Sequence, residues 1–268
     1  MTNSKARRIA LVACFASITL APLAAHAQRK SPLEDAPAIR KRVELRESRF
    51  EIGPGFTSTI TQDYYNTFMV GVRAAFHFND WLSLAVNGNF AIANSETGYH
   101  DRLVQILPPN IMDPLPRDPT VAAAQGTMQK INSLLGAQLE FTPFTGKYSL
   151  FGKIFWHYDF YLFGGGGALD LKASDSALPA CTSSGMTQSC AVSGFKPGGN
   201  VGVGMHTFFN NWLALNVELR DIIAQINPSG RDVNGDGFAN SQDLSWGSTY
   251  FVTANLTVYL PYLASISQ

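Results

Sequence analysis

The sequence predicts an all-β protein, an eight-stranded antiparallel up-and-down transmembrane β-barrel. Three observations predict it. Hydrophobicity alternates with period two over eight segments of about a dozen residues, the length of a tilted strand that crosses a bilayer. Very short connections alternate with long polar ones. In a chain of 268 residues, 18 Phe and 23 Gly stand beside only 15% charged side chains. A mean hydropathy of +0.00 is then the average of two opposed faces.

The composition also excludes alternatives. A formal net charge of zero offers no basic surface to nucleic acid. After residue 27 no apolar run is long enough for a membrane helix. Before that point, Lys5, Arg7 and Arg8 lead into an apolar run from Ile9 to Ala24, and Ala25-His26-Ala27 supplies small residues two apart. Residues 1–27 therefore read as a secretory signal peptide, removed before folding. The remaining 241 residues carry a net charge of −3 and keep two cysteines, Cys181 and Cys190. In an exported chain these two read as a disulfide closing one loop, a bridge that contributes roughly 2–3 kcal/mol. Residues 28–48 hold six basic and four acidic side chains with no apolar stripe and read as an exposed periplasmic tail.

From residue 49 to residue 262 the barrel pattern takes over, leaving 263–268 as a C-terminal tail. The first segment sets Phe50, Ile52, Phe56 and Ile60 against Arg49, Glu51, Thr57 and Thr59. The second sets Phe68, Val70, Val72, Ala74 and Phe76 against Thr67, Gly71, Arg73 and His77. In the third, Leu82, Leu84, Val86, Phe90 and Ile92 oppose Ser83, Asn87 and Asn89. The fourth places Ile131, Ser133, Leu135, Leu139 and Phe141 opposite Asn132, Gly136, Gln138 and Glu140. The fifth places Ile154, Trp156, Tyr158, Phe160 and Leu162 opposite His157 and Asp159, with no clear end. The sixth opposes Val201, Val203 and Met205 to Asn200, Gly202, Gly204 and His206. The seventh opposes Leu213, Leu215, Val217 and Leu219 to Asn216, Glu218 and Arg220. The eighth opposes Tyr250, Val252, Leu256 and Val258 to Thr249, Thr253, Asn255 and Thr257.

The polar face is rich in Gly, Ala, Ser and Asn, which fit a narrow interior, whereas a band of Phe, Leu and Val suits lipid. The barrel is thus expected to be inside-out. Asn79-Asp80-Trp81 and Asn210-Asn211-Trp212 are three-residue turns, and the connection around Pro143–Lys147 is also short. The stretches 94–129, 173–196 and 224–244 are long. Short turns face the periplasm in outer-membrane barrels, so Trp81, Phe144, Tyr148, Trp212 and Tyr259 are expected as an interfacial aromatic girdle.

Several short motifs bear a likeness. Arg42-Val43-Glu44-Leu45 precedes Phe50, Phe78-Asn79-Asp80-Trp81-Leu82 forms a turn, and Thr145-Gly146-Lys147 precedes His157-Tyr158-Asp159-Phe160-Tyr161. Over roughly residues 38–262 the chain resembles a family of small outer-membrane β-barrel proteins best represented in myxobacteria and related Gram-negative bacteria. The resemblance implies an outer-membrane barrel without established enzymatic activity. Some relatives belong to envelope machinery, gliding motility included. It supplies no catalytic residues.

Two constellations could carry chemistry. Asp232, Asn234, Asp236, the Phe238 carbonyl, Asn240 and Asp243 fall at positions 1, 3, 5, 7, 9 and 12 of a calcium-loop pattern with Gly237 at position 6. Calcium in the 232–243 loop is the one cofactor expected, and the competing reading is a turn-rich surface loop. Arg73, Glu140, His157, Asp159, Glu218 and Arg220 all point to the lumen. They read as a satisfied ion network filling an interior too narrow for a channel, in preference to a charged constriction gating a pore. His157 and Asp159 invite comparison with a lipid-modifying hydrolase. Residues two apart on a strand sit roughly 7 Å from each other, however, too far for a dyad. Gly164–Gly167 lacks the Lys-Ser/Thr of a phosphate loop.

The function expected is that of a non-enzymatic outer-membrane barrel with a structural or interaction role. Its partners are outer-membrane lipid and envelope proteins, not nucleic acid. A narrow pore is the alternative.

Overall fold

A computed structural model describes residues 43–268 apart from 45, 61, 108–120, 122–127, 151–153, 174–179, 182–189, 229–230, 262–264 and 267–268. The expected signal peptide, tail residues 28–42 and the proline-rich stretch from 108 to 119 lie outside the described residues.

Eight strands close into a ring: β1 (Arg49–Ile60), β2 (Tyr65–His77), β3 (Leu82–Glu96), β4 (Gln129–Leu150), β5 (Ile154–Ala173), β6 (Gly194–Phe208), β7 (Leu213–Ile226) and β8 (Ser245–Leu260). Every neighbouring pair is antiparallel, and β8 closes on β1. Following paired residues round the ring from Arg49 leads through His77, Ser83, Glu140, Phe163, Gly202, Arg220 and Phe251 to Thr59, ten residues farther along β1. A stagger of that size in eight strands tilts them and leaves an interior just wide enough for side chains to fill.

The alternation expected from the sequence decides which side faces out. Phe50, Phe90 and Ile92 are about 60% exposed on the outer wall, while Arg49, Glu51, Arg73 and Glu218 are buried inside at 1%. The barrel is inside-out, with lipid-compatible side chains outside and charge within. No helix among the described residues is long and apolar enough to cross a membrane.

The two Trp turns are built alike. Asn79 Oδ1 accepts from the backbone N–H of Trp81 (3.1 Å) and Leu82 (2.7 Å), and Asn210 Oδ1 from those of Trp212 (2.9 Å) and Leu213 (2.8 Å). The side chain mimics a backbone acceptor and fixes the three-residue connection. Each Trp carbonyl then accepts from a neighbouring strand, Thr142 N at 2.9 Å and Tyr259 N at 2.8 Å. The repeated Phe-Asn-x-Trp-Leu wording thus encodes one turn used twice.

Several sequence expectations need correction. The connection around Pro143–Lys147 is not a turn: β4 runs on to Leu150, with a register shift between Phe141 and Phe144, and pairs Tyr148 with Trp156. The fifth segment, whose end was open, extends to Ala173 and carries Gly164–Gly167 as plain strand. In β4 a second register shift lies between Ile131 and Ser133. It turns Ile131 and Ser133 inward, to 7% and 3% exposure, although simple alternation put them on the lipid side. The end of the expected 28–48 tail is not wholly solvated either. Val43–Glu44 pairs with Ser265–Ile266, so the stretch before the barrel meets the stretch after it. Arg46 is buried at 2%.

Candidate functional site

The chemistry of this chain is concentrated inside the barrel. Arg73 on β2 is its centre. Its Nε lies 3.1 Å from Glu51 Oε1, Nη1 2.8 Å from Glu218 Oε1 and Nη2 2.6 Å from Glu140 Oε1. One guanidinium thus ties together β1, β2, β4 and β7. The planar fork of arginine suits this role, since its N–H groups radiate in one plane toward separate acceptors.

The carboxylates are in turn saturated by neighbours. Glu140 accepts from Ser83 Oγ (2.8 Å) and Gln138 Nε2 (2.9 Å). Glu218 accepts from Tyr161 Oη (2.7 Å) and from Arg220 Nη2 (2.6 Å). Glu51 meets His77 Nε2 at 2.9 Å and the Tyr259 hydroxyl at 3.1 Å. Such saturation is what makes buried charge tolerable, because every unpaired group here would carry its full desolvation cost.

Toward the short-turn end, His206 Nδ1 lies 2.7 Å from Asp159 Oδ1, and its Nε2 is 3.3 Å from Glu51 Oε2. Asp159 is also held by Arg46, whose Nε is 3.0 Å from Asp159 Oδ2. Arg46 Nη1 donates to Thr142 Oγ1 at 3.0 Å, and its Nη2 donates to the Asp80 carbonyl. The residue just before the barrel therefore folds back beneath it and stoppers that mouth. A reversal at Ser48, with φ +55°, turns the chain, and Arg49 N donates to Arg46 O at 3.1 Å. Arg46 lies outside the strands. Burial alone would lower its pKa, but Asp159, Tyr259, Asp80 and Glu140 outweigh this and raise it.

Toward the long-loop end the interior changes character. Met69, Ile131, Leu134, Leu169, Leu171, Ile222, Ala224 and Phe251 form one buried apolar cluster. The interior is thus layered, with an arginine stopper, an ionic plug and an apolar layer in sequence. Alternation alone did not reveal the third layer. Its members lie on the faces read as polar, or beside register shifts that change which residues point in.

Glycines make room for the plug at two places. A Cβ on Gly204 would lie 2.3 Å from Tyr161 Cζ, and one on Gly136 2.6 Å from Arg220 Nη1. Glycine here is a volume requirement.

Of the lumen residues expected from the sequence, the structure joins Arg73, Glu140, Glu218 and Arg220 directly, and Asp159 through His206 and Glu51. It does not join His157, which is half-buried beside Lys147 in register and makes none of these bonds. Asp159 pairs with His206 and Arg46 instead, because the barrel brings β6 and the chain's approach to β1 closer than a residue two steps along the same strand. Glu51, His77, His206 and Arg46 are the acidic and basic network members that sequence reasoning left out, although three of them already stood on polar faces. Tyr259 is also corrected. It is fully buried inside, as its odd-numbered place in β8 requires, whereas Trp81, Phe144, Tyr148 and Trp212 remain on the outer surface, Tyr148 half-buried.

The 232–243 loop is wound by its own backbone. Asp232 accepts from Gly235 N (2.7 Å) and Gly237 N (2.8 Å), and Asp243 accepts from Val233 N (2.9 Å), Asn234 N (3.2 Å) and Asn240 N (2.8 Å). Asn234 and Asp236 accept from Asp236 N (2.9 Å) and Phe238 N (2.8 Å), and Asn240 caps the turn at Gln242 N (2.7 Å). Among the described residues, the three acidic or His donors that converge within 4.8 Å of one another lie elsewhere, at Glu96, His100 and Asp101. Cys190 is buried at 2% and its N–H donates to Ala239 O at 2.8 Å. The Cys181 side chain lies outside the described residues.

No protein-family model matches the chain, and no curated protein matches it, so the likeness to the small myxobacterial barrels stays one of short motifs. Among solved structures it is similar to the N-terminal β-barrel domain of Pseudomonas aeruginosa OprF, with 8% identity over 80% of this chain and 98% of that one, at a TM-score of 0.42. It is also similar to the outer membrane protein OprG from Pseudomonas aeruginosa, with 10% identity over 80% and 97%, at 0.38. The assignment rests on the chain's own register and faces: it is an eight-stranded barrel of the outer-membrane type.

Proposed function

We propose that this protein sits in the outer membrane of a Gram-negative cell as a closed, non-enzymatic barrel with a structural or interaction role in the envelope, including membership of a multi-protein assembly. One observation carries the reading: the interior is filled, with Arg73 bound to three carboxylates, Arg46 across one mouth and apolar side chains toward the other. Ions in transit would have to displace these buried pairs, at several kcal/mol for each buried charge left without its partner. A lipid-modifying hydrolase finds no support, because the Asp159–His206 pair is enclosed and faces away from lipid. The Cys181–Cys190 disulfide belongs to this proposal as a staple of one long loop, read by mass spectrometry of unreduced peptides.

The test is planar-bilayer conductance of the purified full chain. The expected trace is flat, and Glu218→Ala produces at most brief openings. Sustained wild-type conductance would replace this reading with the narrow pore. Heat-modifiable mobility in outer-membrane fractions tests the location, and a protein recovered soluble from the periplasm would refute it.

A further inference from the structure

The first long loop opens on three side chains that the ionic plug does not use. Strand β3 ends at Glu96, Thr97 caps helix α1 (Gly98–Ile106), and His100 and Asp101 fall at the start of that helix.

Backbone bonds fix these residues relative to one another. Glu96 pairs with Tyr65 in the β2–β3 ladder, and Thr97 N donates to Tyr64 O at 3.0 Å. The Thr97 hydroxyl accepts from His100 N at 3.3 Å and donates to Asp63 O, while Thr97 O accepts from Asp101 N at 3.1 Å. One threonine thus holds both helical residues beside the strand end. The His100 ring lies against Tyr65, with ring centroids 5.3 Å apart, and the residue is 3% exposed. The imidazole is in place before any ion arrives, which lowers the ordering cost of binding.

Its two nitrogens carry the inference. Nδ1 lies 3.6 Å from Glu96 Oε2 and 3.5 Å from Asp101 Oδ1. Both separations exceed the roughly 2.7–3.2 Å of a well-formed N–H···O bond. Nε2 is buried with no hydrogen-bond partner among the described residues. A buried imidazole is thus left without a well-formed hydrogen bond at either nitrogen, a state that a bound ion at Nδ1 relieves. The separations fit an ion. With metal–N and metal–O bonds of about 2.0–2.2 Å, ligands at tetrahedral angles stand about 3.3–3.6 Å apart. Among the described residues neither carboxylate forms an ion pair with Lys or Arg. Their side chains are 57% and 60% exposed, and their oxygens lie within 4.8 Å of one another, so both are free to close on a shared ion.

The donor set selects the ion. Imidazole suits zinc, nickel or copper, whereas Ca²⁺ and Mg²⁺ take oxygen ligands. Three protein ligands leave a further position to water, the arrangement of an open zinc site.

We propose that Glu96, His100 and Asp101 form a binding site for a divalent transition-metal ion of the zinc type, with one coordination position open at the long-loop end. The ion joins the end of β3 to the start of α1. The site is independent of whether the barrel passes solutes.

Calorimetry with Zn²⁺ alone on the untagged full chain in detergent tests it, together with the visible absorption of Co²⁺ as a probe of the ligand field. Zn²⁺ is expected to bind roughly tenfold or more tighter than Ca²⁺ or Mg²⁺ and to displace Co²⁺ from the site. Glu96→Gln and Asp101→Asn change exposed side chains with little change of shape. Each is expected to weaken Zn²⁺ by at least the roughly 10–100-fold that loss of a ligand's supporting neighbour costs, with heat-modifiable mobility retained. His100→Gln is expected to remove the Co²⁺ spectrum. No Zn²⁺ binding at millimolar concentration, displacement of Co²⁺ by Ca²⁺ as readily as by Zn²⁺, or unchanged Zn²⁺ affinity in both folded carboxylate variants would overturn the proposal.

Discussion

Arg46 Nε lies 3.0 Å from Asp159 Oδ2, a contact between a residue that precedes the barrel and a strand halfway round it. Arg46→Ala removes the guanidinium from that buried carboxylate and opens the short-turn mouth. Breaking a buried pair from one side costs about 3–5 kcal/mol. Urea unfolding in detergent, followed by the loss of heat-modifiable mobility, is expected to show a destabilisation of that order. Arg46→Ala combined with Asp159→Asn should recover part of it, and additive losses would mean that the two side chains are not coupled.

Arg73 serves three carboxylates, so its removal and theirs should differ. Arg73→Met strands Glu51, Glu140 and Glu218 together and is expected to prevent folding into the outer membrane. Glu140→Gln keeps an acceptor for Arg73 and is expected to cost about 1–3 kcal/mol, the scale of a charge-assisted hydrogen bond. Refolding yield measured by gel mobility ranks the two, and equal yields would contradict the central place given to Arg73.

Gly204 and Gly166 make a matched pair of substitutions. A Cβ on Gly204 would collide with Tyr161 at 2.3 Å, whereas one on Gly166 would meet nothing within 4 Å. Gly204→Val is expected to cost at least the roughly 1–3 kcal/mol of an overpacked interior. Gly166→Val, facing out, should leave stability within about 0.5 kcal/mol. The same urea titration reads both.

The twin turns predict twin effects. Asn79→Ala and Asn210→Ala each remove a side-chain acceptor serving two backbone N–H groups. Each is expected to lower stability by about 1 kcal/mol, and by similar amounts. A loss confined to one of them would show that the repeated wording does not report a repeated role.

Calcium binding in the 232–243 loop is expected to be weak, with Kd no tighter than about 10⁻⁴ M, the range of extracellular modules. An arriving ion must share oxygens that already accept backbone N–H groups. Calorimetry measures this directly, and submicromolar affinity would mean that the loop closes into a full cage.

The sequence by itself determined the eight strands, their two faces and the twin turns, because each follows from interactions within a few residues. Period two sorts Phe50 from Glu51 wherever the strand is regular, and Asn79 shapes its own turn. It also placed Arg73, Glu140, Glu218 and Arg220 in the lumen, since facing inward is a property of one strand. Only the closed ring decided which of them meet. Arg73 and Glu218 lie 145 positions apart, and their contact depends on the ten-residue stagger that sets the height of each strand against the next. The same holds for His206 taking the place expected of His157, and for Arg46 entering the mouth. The apolar layer depends in part on the register shift in β4, where one extra residue turns Ile131 inward. Local alternation cannot carry information about a step that breaks it.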